Sequence, residues 1–154
     1  MRAYLGDRDV CYHGCGAVVN LSVNDDANRS SLGAAGACEV LPAAMRAFLG
    51  DRDVCYKACG AVGNLAVNDA NRSKLGAAGA CDVVAAAMRA FLGDRDVCMR
   101  GCNAVWNLAL TNDANRTRLE AARAPDALAA ALRTYPSDAE FRAVCSGAQK
   151  ALGR

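Results

Sequence analysis

Nine cysteines and a single histidine are the side chains of this 154-residue chain with the most chemical reach. Cys11/Cys15, Cys55/Cys59 and Cys98/Cys102 are pairs spaced four residues apart, one turn of a helix. Two thiolates so placed supply half of the four-ligand shell that zinc requires. A disulfide across one turn would be strained. Cys38 and Cys81 lie outside these pairs, and Cys145 stands alone. An odd count argues against a fully paired secreted framework. The thiols therefore read as reduced, small apolar packing groups, with a metal or redox sensor as the minor alternative. His13 would have to serve any Cys–His or His–carboxylate catalysis. Cys11, two residues away, faces another side of a helix, and the slots equivalent to His13 hold Lys57 and Arg100. The slot reads as a basic surface position. The GAAGA segments lack the preceding strand and the Lys-Ser/Thr of a phosphate loop, so they read as corners. The DRD carboxylates read as helix caps that complement the helix dipole. No catalytic residue, metal site or cofactor is expected.

Behind these residues stands a repeat. LGDRDVC begins at Leu5, Leu49 and Leu92, 44 and then 43 residues apart. NDANR begins at Asn68 and Asn112, and NDDANR, one Asp longer, at Asn24. LGAAGAC begins at Leu32 and Leu75, and a diverged fourth copy follows in which Asp138-Ala139-Glu140-Phe141 matches Asp94-Arg95-Asp96-Val97. A period near 43 fits the HEAT and armadillo range and exceeds the ankyrin and tetratricopeptide repeats. Within the unit the periodicity is helical. Asp69 or its neighbour caps a short first helix, and Gly79 supplies a left-handed corner. A second helix runs from about Asp82 to Phe91. A third, capped by Asp94, runs from about Arg95 to Leu110 with Val97, Gly101, Ala104, Val105 and Leu108 as its inner stripe. Only 5% aromatic content with abundant alanine and glycine fits closely packed helices.

The segment NRSKLGAAGACDVVAAAMRAFLGDRDVCMRGCNAVWNLAL resembles an armadillo repeat throughout: an N-R opening, an A-G-A corner, an apolar second helix, a D-x-x-V start and an A-x-x-N-L-A ending. The resemblance covers nearly the whole chain. It implies an all-α, right-handed solenoid of three-helix units, divided as a partial repeat 1–23, repeats 24–67 and 68–111, and a capping repeat 112–154. Met1 matches Met45 and Met88, so the chain begins inside a second helix and exposes an apolar stacking face. End-to-end self-association through that face is expected. The fourth unit exchanges the Gly corner for Arg123, gains Pro125 and Pro136, and is expected to cap its last helix through a Ser137/Glu140 box.

In the family this resembles, third helices line a concave groove and an asparagine column holds the backbone of an extended peptide. Here that column is Asn20, Asn64 and Asn107, and an amide that both donates and accepts suits a peptide unit. One turn earlier stand Gly16, Gly60 and Asn103, where importin-alpha-like proteins carry tryptophan; nuclear-import cargo is therefore not expected. Earlier still stand Tyr12, Tyr56 and Met99, flanked by His13, Lys57 and Arg100. This makes a mildly cationic groove suited to acidic or tyrosine-containing peptides. Trp106 reads as a packing or rim residue. A net charge of +2 without clustering argues against nucleic acid. No apolar run of 18 residues argues for a membrane span. The expectation is a non-enzymatic protein-interaction scaffold, cytoplasmic or nuclear, whose partner is an extended peptide or protein segment. The alternative is a structural spacer within a larger protein whose activity lies in another domain.

Overall fold

A computed structural model of the chain describes residues 1–153. Among them lie ten α-helices and no strand: α1 (Arg8–Ser22), α2 (Asp26–Ala34), α3 (Ala37–Ala47), α4 (Arg52–Leu65), α5 (Asp69–Ala77), α6 (Ala80–Ala90), α7 (Arg95–Ala109), α8 (Asp113–Ala121), α9 (Ala124–Thr134) and α10 (Ala139–Ala151). A 3-10 turn at Arg2–Tyr4 precedes α1. The helix starts follow from side-chain capping. Asp7, Asp51 and Asp94 accept hydrogen bonds from the first-turn N–H groups of α1, α4 and α7. Asp25, Asn68 and Asn112 do the same for α2, α5 and α8.

The corners follow from backbone conformation. Gly36 and Gly79 hold φ of 86° and 85°, the left-handed region that glycine enters without steric cost. Arg123 occupies the same corner in the fourth unit with φ 58°, so a side chain is tolerated there at some strain. The capping box expected at Ser137 and Glu140 does not form. Asp138 caps α10 by accepting from the Phe141 N–H, and Glu140 accepts from Arg95 at 2.8 Å instead. The aspartate lies one residue nearer the helix and meets an N3 donor directly.

The units stack through their third helices: α4 packs between α1 and α7, and α7 between α4 and α10. The buried core runs continuously along the stack, and the predicted stripe Val97, Gly101, Ala104, Val105 and Leu108 lies inside it. Two periodic devices fix the stacking. In the first, the buried Asn71 donates to the Arg29 carbonyl at 2.7 Å, and its amide oxygen lies where a Cβ at Gly33 would stand. Asn115 repeats this against Gly76, donating to the carbonyls of Arg72 and Leu108, both at 3.0 Å. In the second, Arg8 bonds Asp51 at 2.9 Å, Arg52 bonds Asp94 at 2.8 Å and Arg95 bonds Asp138 at 2.5 Å. The DRD motif thus joins each unit to the cap of the next. The guanidinium hydrogen bonds hold the carboxyls of Asp51, Asp94 and Asp138 below the usual carboxylate range. At the N-terminal end Leu21 is 52% exposed, whereas its equivalents Leu65 and Leu108 are fully buried. No helix among the described residues is long and apolar enough to cross a membrane.

Candidate functional site

The third helices α1, α4 and α7 carry all nine residues singled out in the sequence, and the structure brings them to one face. Asn64 Nδ2 donates to the Val19 carbonyl at 3.3 Å, and Asn107 Nδ2 donates to the Gly63 carbonyl at 3.0 Å. Each rung thus ties its helix to the one before it. The amide oxygens of both accept no hydrogen bond among the described residues, and each NH2 keeps a second proton. Asn20, in the first copy, is exposed. Asn103 donates to its own helix, to the Met99 carbonyl at 3.2 Å.

A turn away, tyrosines and cations interleave across the units. Lys57 Nζ lies 5.8 Å from the Tyr12 ring centre and 5.6 Å from that of Tyr56, so one ammonium sits between two aromatic faces. Arg100 stacks over Tyr56 at 5.1 Å and donates to its hydroxyl at 3.3 Å. Arg8 and Arg52 also lie over the Tyr12 and Tyr56 rings, each at 5.2 Å. These two arginines were missed as members of the face, although each stands one helical turn before its tyrosine. The exposed His13 meets the Tyr12 ring edge-on, with ring centres 5.0 Å apart.

Two hollows follow each other along this face. One, of about 360 Å³, is lined by Tyr12, His13, Gly16, Ala17, Asn20 and Lys57. The next, of about 130 Å³, is lined by Gly60, Gly63, Asn64, Arg100, Asn103 and Asn107, with Cys59 at its base. They are the same construction one repeat apart. Each pairs a ladder asparagine with a cation from the following unit, and that cation's stem passes over a glycine, Lys57 over Gly16 and Arg100 over Gly60. Glycine replaces the bulky residue that would otherwise fill the space. Trp106 lies beside the ladder, its ring against Gly147 of α10. The tryptophan's place is held by Val19 and Gly63 in earlier units; here α10 accommodates the ring with Gly147.

The cysteines take no part in this face beyond the base of one hollow. All nine are buried and none is disulfide-bonded. Cys11, Cys55 and Cys98 point their thiols at the carbonyls that end the preceding segment: Leu5, Leu49 and Phe91 lie 3.7, 3.5 and 3.4 Å away. Burial pushes the thiols of Cys38 and Cys55 up to about 11 and those of Cys15, Cys81 and Cys98 to about 12. These are unreactive, packing cysteines. No group of three or more potential metal ligands occurs among the described residues.

Comparison with known proteins gives the fold its class. No family model and no curated protein matches the chain. Solved structures do. A designed armadillo repeat protein superposes with a TM-score of 0.77 at 25% identity, over 95% of this chain and 59% of its own. A second designed armadillo repeat protein, in complex with the peptide (KR)4, gives 0.76 at 24% identity over 95% and 59%. A further engineered protein gives 0.81 at 19% identity over 95% and 57%. The chain spans about three fifths of the length of these proteins. Its fold is therefore the armadillo solenoid. At Gly16, Gly60 and Asn103 this solenoid carries glycine or asparagine where the resemblance would place a tryptophan array.

Proposed function

We propose that the chain binds an extended, acidic peptide segment across the face of α1, α4 and α7. The observation that carries this reading is the pair of successive hollows, each joining an asparagine amide to a cation over a glycine floor. An extended peptide presents backbone groups at regular intervals, and the free amide oxygen and remaining N–H of Asn64 and Asn107 complement them. Lys57, Arg100 and His13 favour carboxylates, while Tyr12 and Tyr56 offer aromatic contact area of the kind enriched at interfaces. The designed relative whose structure holds (KR)4 supports peptide binding by the fold; the charge of the present face points to the opposite ligand. No chemistry is assigned to the site, and the buried thiols suit a reducing compartment such as the cytoplasm or nucleus. Titration of the peptides (EY)4 and (KR)4 by fluorescence anisotropy tests the reading. (EY)4 should bind more tightly than (KR)4, and its binding should weaken with added salt. Equal affinity for both, or preference for (KR)4, rejects it.

A second reading is favoured by a specific observation. The hydrogen bonds from Asn64 and Asn107 to neighbouring carbonyls are what a purely structural ladder would make. On that reading the chain is a rigid spacer, and the asparagines serve stability alone.

A further inference from the structure

One cysteine pair differs from all the others. The sulfurs of Cys102 on α7 and Cys145 on α10 lie 2.9 Å apart, and both residues are fully buried. Most of the remaining cysteines either point at backbone carbonyls or simply pack. Cys145 occupies the position held by Gly14, Ala58 and Gly101 in the other third helices, so the fourth unit alone places a sulfur there. Small residues suffice at that position elsewhere in the stack. The exchange puts the new thiol directly against one that was already present.

From this contact we infer that Cys102 and Cys145 form a peroxide-sensitive cross-linking site that pins the last helix, α10, to α7. A disulfide is about 2.05 Å long, so only a small approach of the two sulfurs is needed. The chemistry balances in two steps. The Cys145 thiolate attacks one peroxide oxygen, the O–O bond breaks, and a sulfenic acid and water result. The Cys102 thiolate then attacks the sulfenic sulfur; the S–S bond forms, the S–O bond breaks, and a second water leaves. The two thiols lose two electrons and two protons, and the peroxide is reduced to two waters. Either thiol can donate in this contact, and the Cys145 S–H also has the Leu128 carbonyl 3.9 Å away. With Cys102 donating, Cys145 is lowered and Cys102 raised relative to an ordinary thiol, so Cys145 is written as the first to react. Because both thiols are buried, oxidation waits on local opening of α10. It should therefore proceed more slowly than oxidation of an exposed thiol and speed up in mild denaturant.

The inference is independent of peptide binding and is tested on the 154-residue chain itself. After incubation with hydrogen peroxide, intact mass should fall by about 2 Da, the loss of two hydrogens. Thiol titration in denaturant should find seven of the nine thiols, two having been consumed. Trypsin should release residues 101–116 joined to residues 143–150. Closing a loop of this length should raise the melting temperature by roughly 5–15 °C, reversibly with dithiothreitol. Cys145→Ala, which installs the residue found at Ala58, should fold normally and lose both the cross-link and the shift. Nine titratable thiols after peroxide would overturn the inference. So would oxygen addition to Cys145 without a cross-link, or a cross-link that persists in Cys145→Ala.

Discussion

Replacing Gly76 with alanine should destabilise this protein, against the usual rule for helices. Gly76 lies inside α5, where glycine to alanine ordinarily gains about 1 kcal/mol in helix propensity. Here a Cβ would overlap the amide oxygen of Asn115, a residue with no solvent exposure. Displacing that amide removes its hydrogen bonds to the carbonyls of Leu108 and Arg72. The Leu108 carbonyl lies in the last turn of α7, where carbonyls lack a helical partner. Leaving it buried and unpaired costs about 1–3 kcal/mol, and the strained repacking of the amide adds to this. The net loss is about 1–3 kcal/mol after the gain in propensity, or roughly 5 °C in melting temperature for a chain of this size. The background decides the mechanism. In Asn115→Ala the obstruction is gone, so adding Gly76→Ala should then stabilise by about 1 kcal/mol. Urea denaturation of the four chains of this cycle measures both effects. A Gly76→Ala chain more stable than the parent would refute the reasoning, as would the same sign in both backgrounds.

Other outcomes follow from the same structure. Placing a copy of residues 1–44 ahead of Met1 covers the original Leu21 and its neighbours with a stacked unit; the extended chain should melt higher in calorimetry, and an equal melting temperature would count against the stacking. The carboxyls of Asp51, Asp94 and Asp138 titrate below their unfolded values. Their stabilisation is therefore present above about pH 4 and lost as pH falls through the lowered native values. Arg52→Gln should flatten that acid limb, and an unchanged pH profile would count against the ladder. A small aromatic disulfide reagent at pH 8 should modify few of the nine thiols in the native chain and all nine in denaturant, and rapid native reaction of most of them would contradict their burial.

Much of this architecture is legible in the residues. The period, the three helices per unit and the left-handed corner at Gly79 follow from spacing and turn chemistry, because those are local. What escapes a local reading is contact across units. The Asn of the N-R opening reads as a helix start, yet Asn71 and Asn115 work by entering the space above Gly33 and Gly76. The signal was present: the fourth unit, where no further asparagine stacks within this chain, carries Glu120 in place of that glycine. The DRD arginines likewise read as flanks of a cap, while their partners lie one repeat away. Cys145 reads as solitary because Cys102 is 43 residues distant in sequence. The capping box failed for a local reason, since Asp138 stood nearer to the helix than Ser137.

On the proposed function the asparagine ladder meets a ligand as well as a neighbouring helix, and Asn64→Ala separates the two roles. Asn64 is partly exposed and bonded to Val19 at 3.3 Å, a long contact whose loss should lower the melting temperature only slightly. If a peptide also meets this amide, its removal leaves a peptide group unpaired at a cost of about 1–3 kcal/mol, which is roughly 5- to 150-fold in affinity. Affinity for (EY)4 and melting temperature should be measured on the same preparation. Affinity should fall by that factor with little change in melting temperature. A clear fall in melting temperature with affinity unchanged would contradict it and leave the ladder a structural device.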